Sequence, residues 1–295
     1  MINSRIDWCD STWNPISGCL HGCEYCYARN IAERFRKREG YDLNEDNTIF
    51  IHHFDGSPTV YELKEPCFFE EYDPFGEKSD KDKIKAPYPY GFKPTFHRYR
   101  LNDYIGKKGR NIFACSMADL FGKWVPDEWI QEVFEACEKA PQHNYLFLTK
   151  NPGRYERVIE DNFKKVTNGN ADNFWFGTTV TNDADLLNRG ADLFVSTVMN
   201  YDKGRFKRFL SIEPLLEQVT QLQCLKRHHW IIVGAETGHR KNKVVPERKW
   251  IEDIVVECKN NEIPIFMKSS LADIWGEPLI QEFPEGLERR NDEKP

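Results

Sequence analysis

Between residues 111 and 267, short apolar runs alternate with segments of helical pattern, and this alternation limits the fold more than any other feature of the chain. The runs are residues 111–116, 144–148, 174–180, 206–212, 230–233 and 263–267. Each is too short for a helix and apolar enough for a strand buried on both faces. Helical patterns open at Pro126-Asp127-Glu128, near Pro152, at Asp183 and at Val245-Pro246-Glu247. Strands joined by helices run parallel, because the crossover returns the chain to its starting edge. Residues 11–18 supply a first strand and residues 27–38 a first helix that Gly40 can end. The expectation is therefore an α/β fold: a partial (β/α)6 TIM-like barrel over residues 1–280, followed by a mobile polar tail at 281–295. Residues 41–110 interrupt the rhythm with Pro58, Pro66, Pro74, Pro87, Pro89 and Pro94, and read as an irregular insertion after the first βα unit. Its extended candidates are residues 59–69 and 93–101.

In a parallel barrel the C-terminal strand ends share one face, and chemistry gathers there. The polar residues just past the apolar runs form one convergent set: Ser116 and Asp119, Thr149 and Lys150, Thr178, Thr179 and Thr181, Glu213, Glu236 and Thr237, and Lys268. Structural duties compete for the same residues. Glu213, before Pro214, could cap a helix or pair with Arg208, and the two threonines suit a strand by propensity alone.

Three of the nine cysteines fall within eight residues, as Cys19-x3-Cys23-x2-Cys26, with a helical pattern directly behind them. Thiolates spaced this way on one loop can each reach a different iron of a cubane and leave a fourth iron open. Gly18 and Gly22 let the backbone turn left-handed between the ligands. A zinc or iron-sulfur binding module without catalysis is the other reading of such a set. The remaining six cysteines, Cys9 among them, read as reduced, partly buried side chains, as a cytoplasmic chain would carry. No run of about 18 apolar residues is present to cross a membrane.

Cys19, Cys23 and Cys26, with the aromatic Tyr25 before the last, resemble the signature of the radical S-adenosylmethionine superfamily. The opening Trp13-Asn14-Pro15 with Gly18-Cys19, and Ser211-Ile212-Glu213-Pro214-Leu215, are similar to a phage-associated branch with no settled reaction. The resemblance implies that the three thiolates hold a [4Fe-4S] cluster whose open iron binds S-adenosylmethionine through its amino and carboxylate groups. It places Tyr25 near the adenine, Ser116 and Asp119 near the amine, and Thr178 or Thr179 near the ribose. Glu213, Glu236 and Thr237 would complete the carboxylate and adenine contacts. The family's usual Gly-Gly-Glu after the second strand is replaced by Cys115-Ser116-Met117-Ala118-Asp119. It further implies an electron donor of flavodoxin or ferredoxin type, and a 5′-deoxyadenosyl radical that abstracts hydrogen from a substrate.

The net charge of −6 gives no global pull toward nucleic acid. Locally, residues 81–110 carry Lys81, Lys83, Lys85, Lys93, Arg98, Arg100, Lys107, Lys108 and Arg110 against Asp82 and Asp103, with six aromatics interleaved. Such a stretch is either a solvated basic face or a stacking platform for bases. Arg98, Arg100, Lys107 and Lys108 are thus the candidate nucleic-acid contacts, and a nucleic acid or nucleotide is the expected substrate, with a peptide or small molecule as the alternative.

Overall fold

A computed structural model describes residues 4, 6–37, 41–45, 48–51, 58–71, 83–163, 172–198, 206–238, 240–276 and 278–288. Seven parallel strands lie side by side in chain order: β1 (Ser11–Trp13), β2 (Asn111–Ala114), β3 (Asn144–Thr149), β4 (Phe174–Val180), β5 (Lys207–Ile212), β6 (Trp230–Val233) and β7 (Ile265–Met267). The register aligns Trp13 with Ala114, Thr149 with Thr178, Val180 with Ile212 and Val233 with Met267, which brings the C-terminal ends to one rim. The sheet curls into a half-barrel and does not close into a full one.

Alternation within each strand explains the curl. Outward residues such as Phe147, Phe174, Phe176, Ile212 and Val233 pack under the helices, while Phe113, Leu146, Trp175, Phe209, Trp230, Ile232 and Phe266 fill the interior. Gly177 makes room for the interior layer. A Cβ there would stand 2.4 Å from the fully buried Phe209 ring. Gly177→Ala is expected to destabilise the fold by about 1–3 kcal/mol through overpacking, read as a lower urea midpoint. An unchanged midpoint would show that the interior is looser than the packing implies.

The longer helices of the described residues are α1 (Tyr27–Arg34), α2 (Asp127–Glu138), α3 (Arg154–Phe163), α4 (Ala191–Val198) and α5 (Arg248–Asn260), and a short one, Ala272–Trp275, follows β7. Before α4 the chain runs through an α-turn at Asp183–Asp185 and a π-helical stretch at Leu186–Gly190, where one continuous helix had been expected. After β5 a 3-10 helix, Leu222–Arg227, replaces an α-helix. Among the described residues the sheet thus has seven strands, and a 3-10 helix stands in the helical place of the fifth unit.

Residues 281–288 also correct the expectation of a mobile tail. The backbone N–H of Glu282 donates to Ile265 O at 2.9 Å, and Glu282 O accepts from Trp230 Nε1 at 3.0 Å. The Phe283 ring lies tilted against Trp230 at 5.6 Å, and Leu287 is buried in the interior cluster that also holds Trp8. A few apolar side chains in a polar stretch therefore help to close the floor of the half-barrel. Arg289, Arg290, Asp292, Glu293 and Lys294 lie outside the described residues, as do Gly40, Lys81 and Asp82.

The stretch at 11–18 is divided. After β1, Asn14-Pro15 turns the chain so that Ile16–Ser17 pairs antiparallel with Thr95–His97 in a second sheet, which also holds Val60–Leu63 and Thr48–Ile51. Tyr41–Leu43, Phe68–Glu71 and Ile84–Lys85 form a third. Residues 41–110 therefore contribute small sheets that pack beside the cysteine loop.

Candidate functional site

The cysteine loop leaves the C-terminal end of β1 and is fastened to its neighbours by backbone and by Asn14. Asn14 Oδ1 accepts from Met117 N at 2.9 Å and from Ser116 Oγ at 3.1 Å. Gly18 N donates to Met117 O, and Cys19 N to Phe92 O. Gly18 has φ +85°, and a Cβ on it would lie 2.1 Å from Lys93 O, so close approach of the insertion requires glycine there. Cys26 caps α1, its sulfur accepting from Arg29 N at 3.4 Å, where the helix dipole favours negative charge. Burial above all, together with negative charge at Asp119, Cys23 and Cys26, pushes the Cys19 thiol up to about 12, against a backbone hydrogen bond from His21. A metal cation in contact with such a thiol reverses that balance and ionises it.

Among the described residues no three His, Cys, Asp or Glu side chains converge on a single metal ion. A cubane does not require such convergence, because each thiolate binds a separate iron. Three thiols on one glycine-bearing loop, beside the apolar Phe92 and Met117, suit that donor set.

Asp119 ties the loop to the rim. Its Oδ1 accepts from Thr149 Oγ1 at 2.7 Å and Phe121 N at 3.0 Å; its Oδ2 accepts from Lys150 N at 2.9 Å and His21 Nε2 at 2.7 Å. With four donors and 4% exposure, the carboxylate positions the loop and has no oxygen turned to a guest. The expected contact from Asp119 to an amine therefore gives way to a structural role. His21, between two cysteines, also meets the Trp124 ring edge-on at 4.9 Å.

Around the opening stand paired groups. Lys150 Nζ donates to Tyr25 Oη at 2.5 Å, and burial is the leading reason that this phenol's pKa is raised. Tyr27 donates to Ser116 O at 3.0 Å. It keeps 47% of its surface accessible, and desolvation, followed by the charge of Glu213, raises its pKa. Opposite, Glu213 pairs with Lys268, reaching past β6 because Gly234 has no side chain; a Cβ there would lie 3.0 Å from Lys268 Cδ and 3.2 Å from Glu213. The alternative pairing of Glu213 with Arg208 does not form, since Arg208 donates to the Arg227 and Phe206 carbonyls.

Glu236 is held by Arg240 through two 2.7 Å bonds, and hydrogen bonding from Arg240 is the main cause that lowers its pKa. Arg240 also reaches Glu24 on the cysteine loop at 3.3 Å. Thr178 is fully buried and donates to Thr149 O, which makes it a strand tie; Thr179 is nearly buried and Thr237 exposed. Sequence reasoning missed Asn14, Tyr27, Glu24 and Arg240. For Arg240 the available signal was its position four residues after Glu236.

Part of the basic stretch is spent on packing. Arg98 makes an ion pair with Glu132 and a forked one with the buried Glu62, at 3.1–3.2 Å. Arg100 donates to the Asn14 and Pro87 carbonyls at 3.0 and 3.1 Å. Lys107 lies over the Tyr104 ring, while Tyr90, Phe92 and Phe96 are buried. Lys108 also has a partner. Arg98 and Arg100 thus act as internal ties, whereas Tyr88, Tyr99 and Tyr104 are half-buried and Lys85, Lys93 and Lys108 exposed.

No helix of the described residues is long and apolar enough to cross a membrane. No curated protein and no solved structure matches the chain. One family model does, over residues 3–282, and the chain accordingly belongs to the family described as "Protein of unknown function (DUF5131)".

Proposed function

We propose that this protein is a radical S-adenosylmethionine enzyme. The reading is carried by one observation: Cys19, Cys23 and Cys26 sit on the loop leaving β1, at the same rim where the ends of the other parallel strands and the loops after them offer Lys150, Thr179, Glu213, Glu236 and Lys268. A [4Fe-4S] cluster there would supply the electron that splits S-adenosylmethionine into methionine and a 5′-deoxyadenosyl radical. The chain's own work is to hold and exclude. Asp119 and Asn14 fix the cysteine loop, Tyr25 and Lys150 offer a ring and a cation beside Cys23, and the aromatic floor keeps water out of the lower half-barrel.

The paired charges at the opening, Glu213 with Lys268 and Glu236 with Arg240, are close to neutral in sum. They suit a compact polar guest better than a polyanion, and this favours a nucleotide or another small molecule as substrate over a nucleic-acid polymer. Anaerobic reconstitution with iron and sulfide is expected to give a brown protein with about four irons per chain that forms 5′-deoxyadenosine under reduction. One zinc per chain without sulfide would overturn the proposal in favour of a binding module.

A further inference from the structure

We infer that Arg29 is a positioning residue in the electrostatic sense: its fixed positive charge raises the reduction potential of the cluster held by Cys19, Cys23 and Cys26. The inference rests on the radical reading above. Arg29 stands in the first turn of α1, and its backbone N–H donates to the Cys26 sulfur at 3.4 Å. Its guanidinium lies over the Phe92 ring, 5.5 Å from the centroid. Phe92 is buried in the small apolar cluster that also holds Cys19 and Cys26, and its carbonyl accepts from Cys19 N at 3.1 Å. The cation is thereby held against a ring of the cluster in which two of the three thiols sit.

What singles out Arg29 is the lack of a counter-charge. Its Nε is buried without a hydrogen-bond partner, and among the described residues no carboxylate pairs with its guanidinium. The acid one helical turn on, Glu33, is already engaged. Its Oε1 accepts from Phe92 N at 3.1 Å and its Oε2 pairs with Arg36 at 3.6 Å. The cations at the rim are provided for: Lys268 holds Glu213, Arg240 holds Glu236, and Arg189 holds Asp185. A half-buried cation left unpaired is costly unless negative charge stands near it, and three thiolates carrying iron and sulfide supply that charge.

The step this bears on is the transfer of one electron from a donor of flavodoxin or ferredoxin type. The donor loses the electron, the cluster gains it, and no atom is transferred. The reduced form carries one more negative charge than the oxidised form, so a nearby fixed cation favours the reduced form. Ala28, Phe92 and Met117, all buried, keep the surroundings of the thiols apolar, which strengthens the effect of that charge.

The test is a redox titration of reconstituted wild type, Arg29→Gln and Arg29→Lys, with the reduced cluster read by electron paramagnetic resonance. At a given potential the ratio of reduced to oxidised cluster in Arg29→Gln should be about tenfold below wild type, which for one electron is a midpoint about 59 mV more negative. Arg29→Lys, which keeps the charge, should stay within about threefold of wild type. Iron and sulfide should be equal in all three proteins, because the bond to the Cys26 sulfur comes from the backbone. Should Arg29→Gln alone lose the cluster while Arg29→Lys retains it, the counter-charge role stands. Equal midpoints in the three proteins would overturn the inference and leave the radical reading intact, and so would a lysine variant that follows the glutamine one. A wild type that takes up no iron and sulfide would overturn the radical reading and this inference with it.

Discussion

Replacing Cys19, Cys23 or Cys26 singly with alanine is expected to reduce iron from about four per chain to less than about one, and to abolish 5′-deoxyadenosine formation. The fold should survive. None of the three is in the main core cluster, and Cys19 and Cys26 are only half-buried beside Phe92 and Met117. Cys26 carries one further duty as the cap of α1, so its alanine variant should also lose about 1 kcal/mol of stability. Cys26→Ser restores a hydrogen-bonding cap without restoring a thiolate. Recovered stability with iron still missing would separate the two roles. Cys9 provides the control: it is buried, its thiol is pushed up to about 12 by desolvation, and it donates to Ser4 and Ile6. Cys9→Ala should leave iron and sulfide unchanged. Iron and acid-labile sulfide analysis, circular dichroism and product chromatography report the outcomes. Full iron and sulfide in any of the three loop variants would remove that cysteine from the ligand set.

Strands were legible where burial is total, because a strand covered on both faces is drawn mostly from apolar and β-branched residues. Phe174–Val180 and Trp230–Val233 are such cases, and their expected and observed bounds coincide. The divided first strand was not legible, because what splits it is Asn14, whose side chain bonds to Ser116 and Met117 far along the chain. Arg98 misled for a related reason. Its partners Glu62 and Glu132 come from the insertion and from α2, and no local pattern joins them. The floor of the half-barrel was hidden in a stretch of polar character, where Phe283 and Leu287 count by position and not by composition. At the rim the sequence named Glu213 and Lys268 but not their pairing, which depends on the bare backbone of Gly234 between them.

Asp119→Ala is expected to cost about 3–4 kcal/mol of stability and to loosen the cysteine loop by more than that loss explains. Removing the carboxylate strands the buried donors of Phe121, Thr149 and Lys150 and releases His21, and each orphaned donor costs about 1–3 kcal/mol before the site relaxes. Asp119→Asn keeps one oxygen for Phe121 and Thr149 and turns an amide N–H₂ toward Lys150 N, where two donors face each other. The His21 tautomer with a bare Nε2 accepts from that amide, so the asparagine variant should lose about 1–2 kcal/mol. His21→Ala removes only the arm to the loop. Its urea midpoint should move least of the three, whereas its iron content after reconstitution should fall toward that of Asp119→Ala. A role confined to stability predicts the opposite order, with iron content following the midpoint in every variant. An Asp119→Ala protein with the wild-type midpoint would overturn the assignment altogether. The comparison turns on His21 because its side chain touches both the buried carboxylate and the Trp124 ring while standing between two of the thiols.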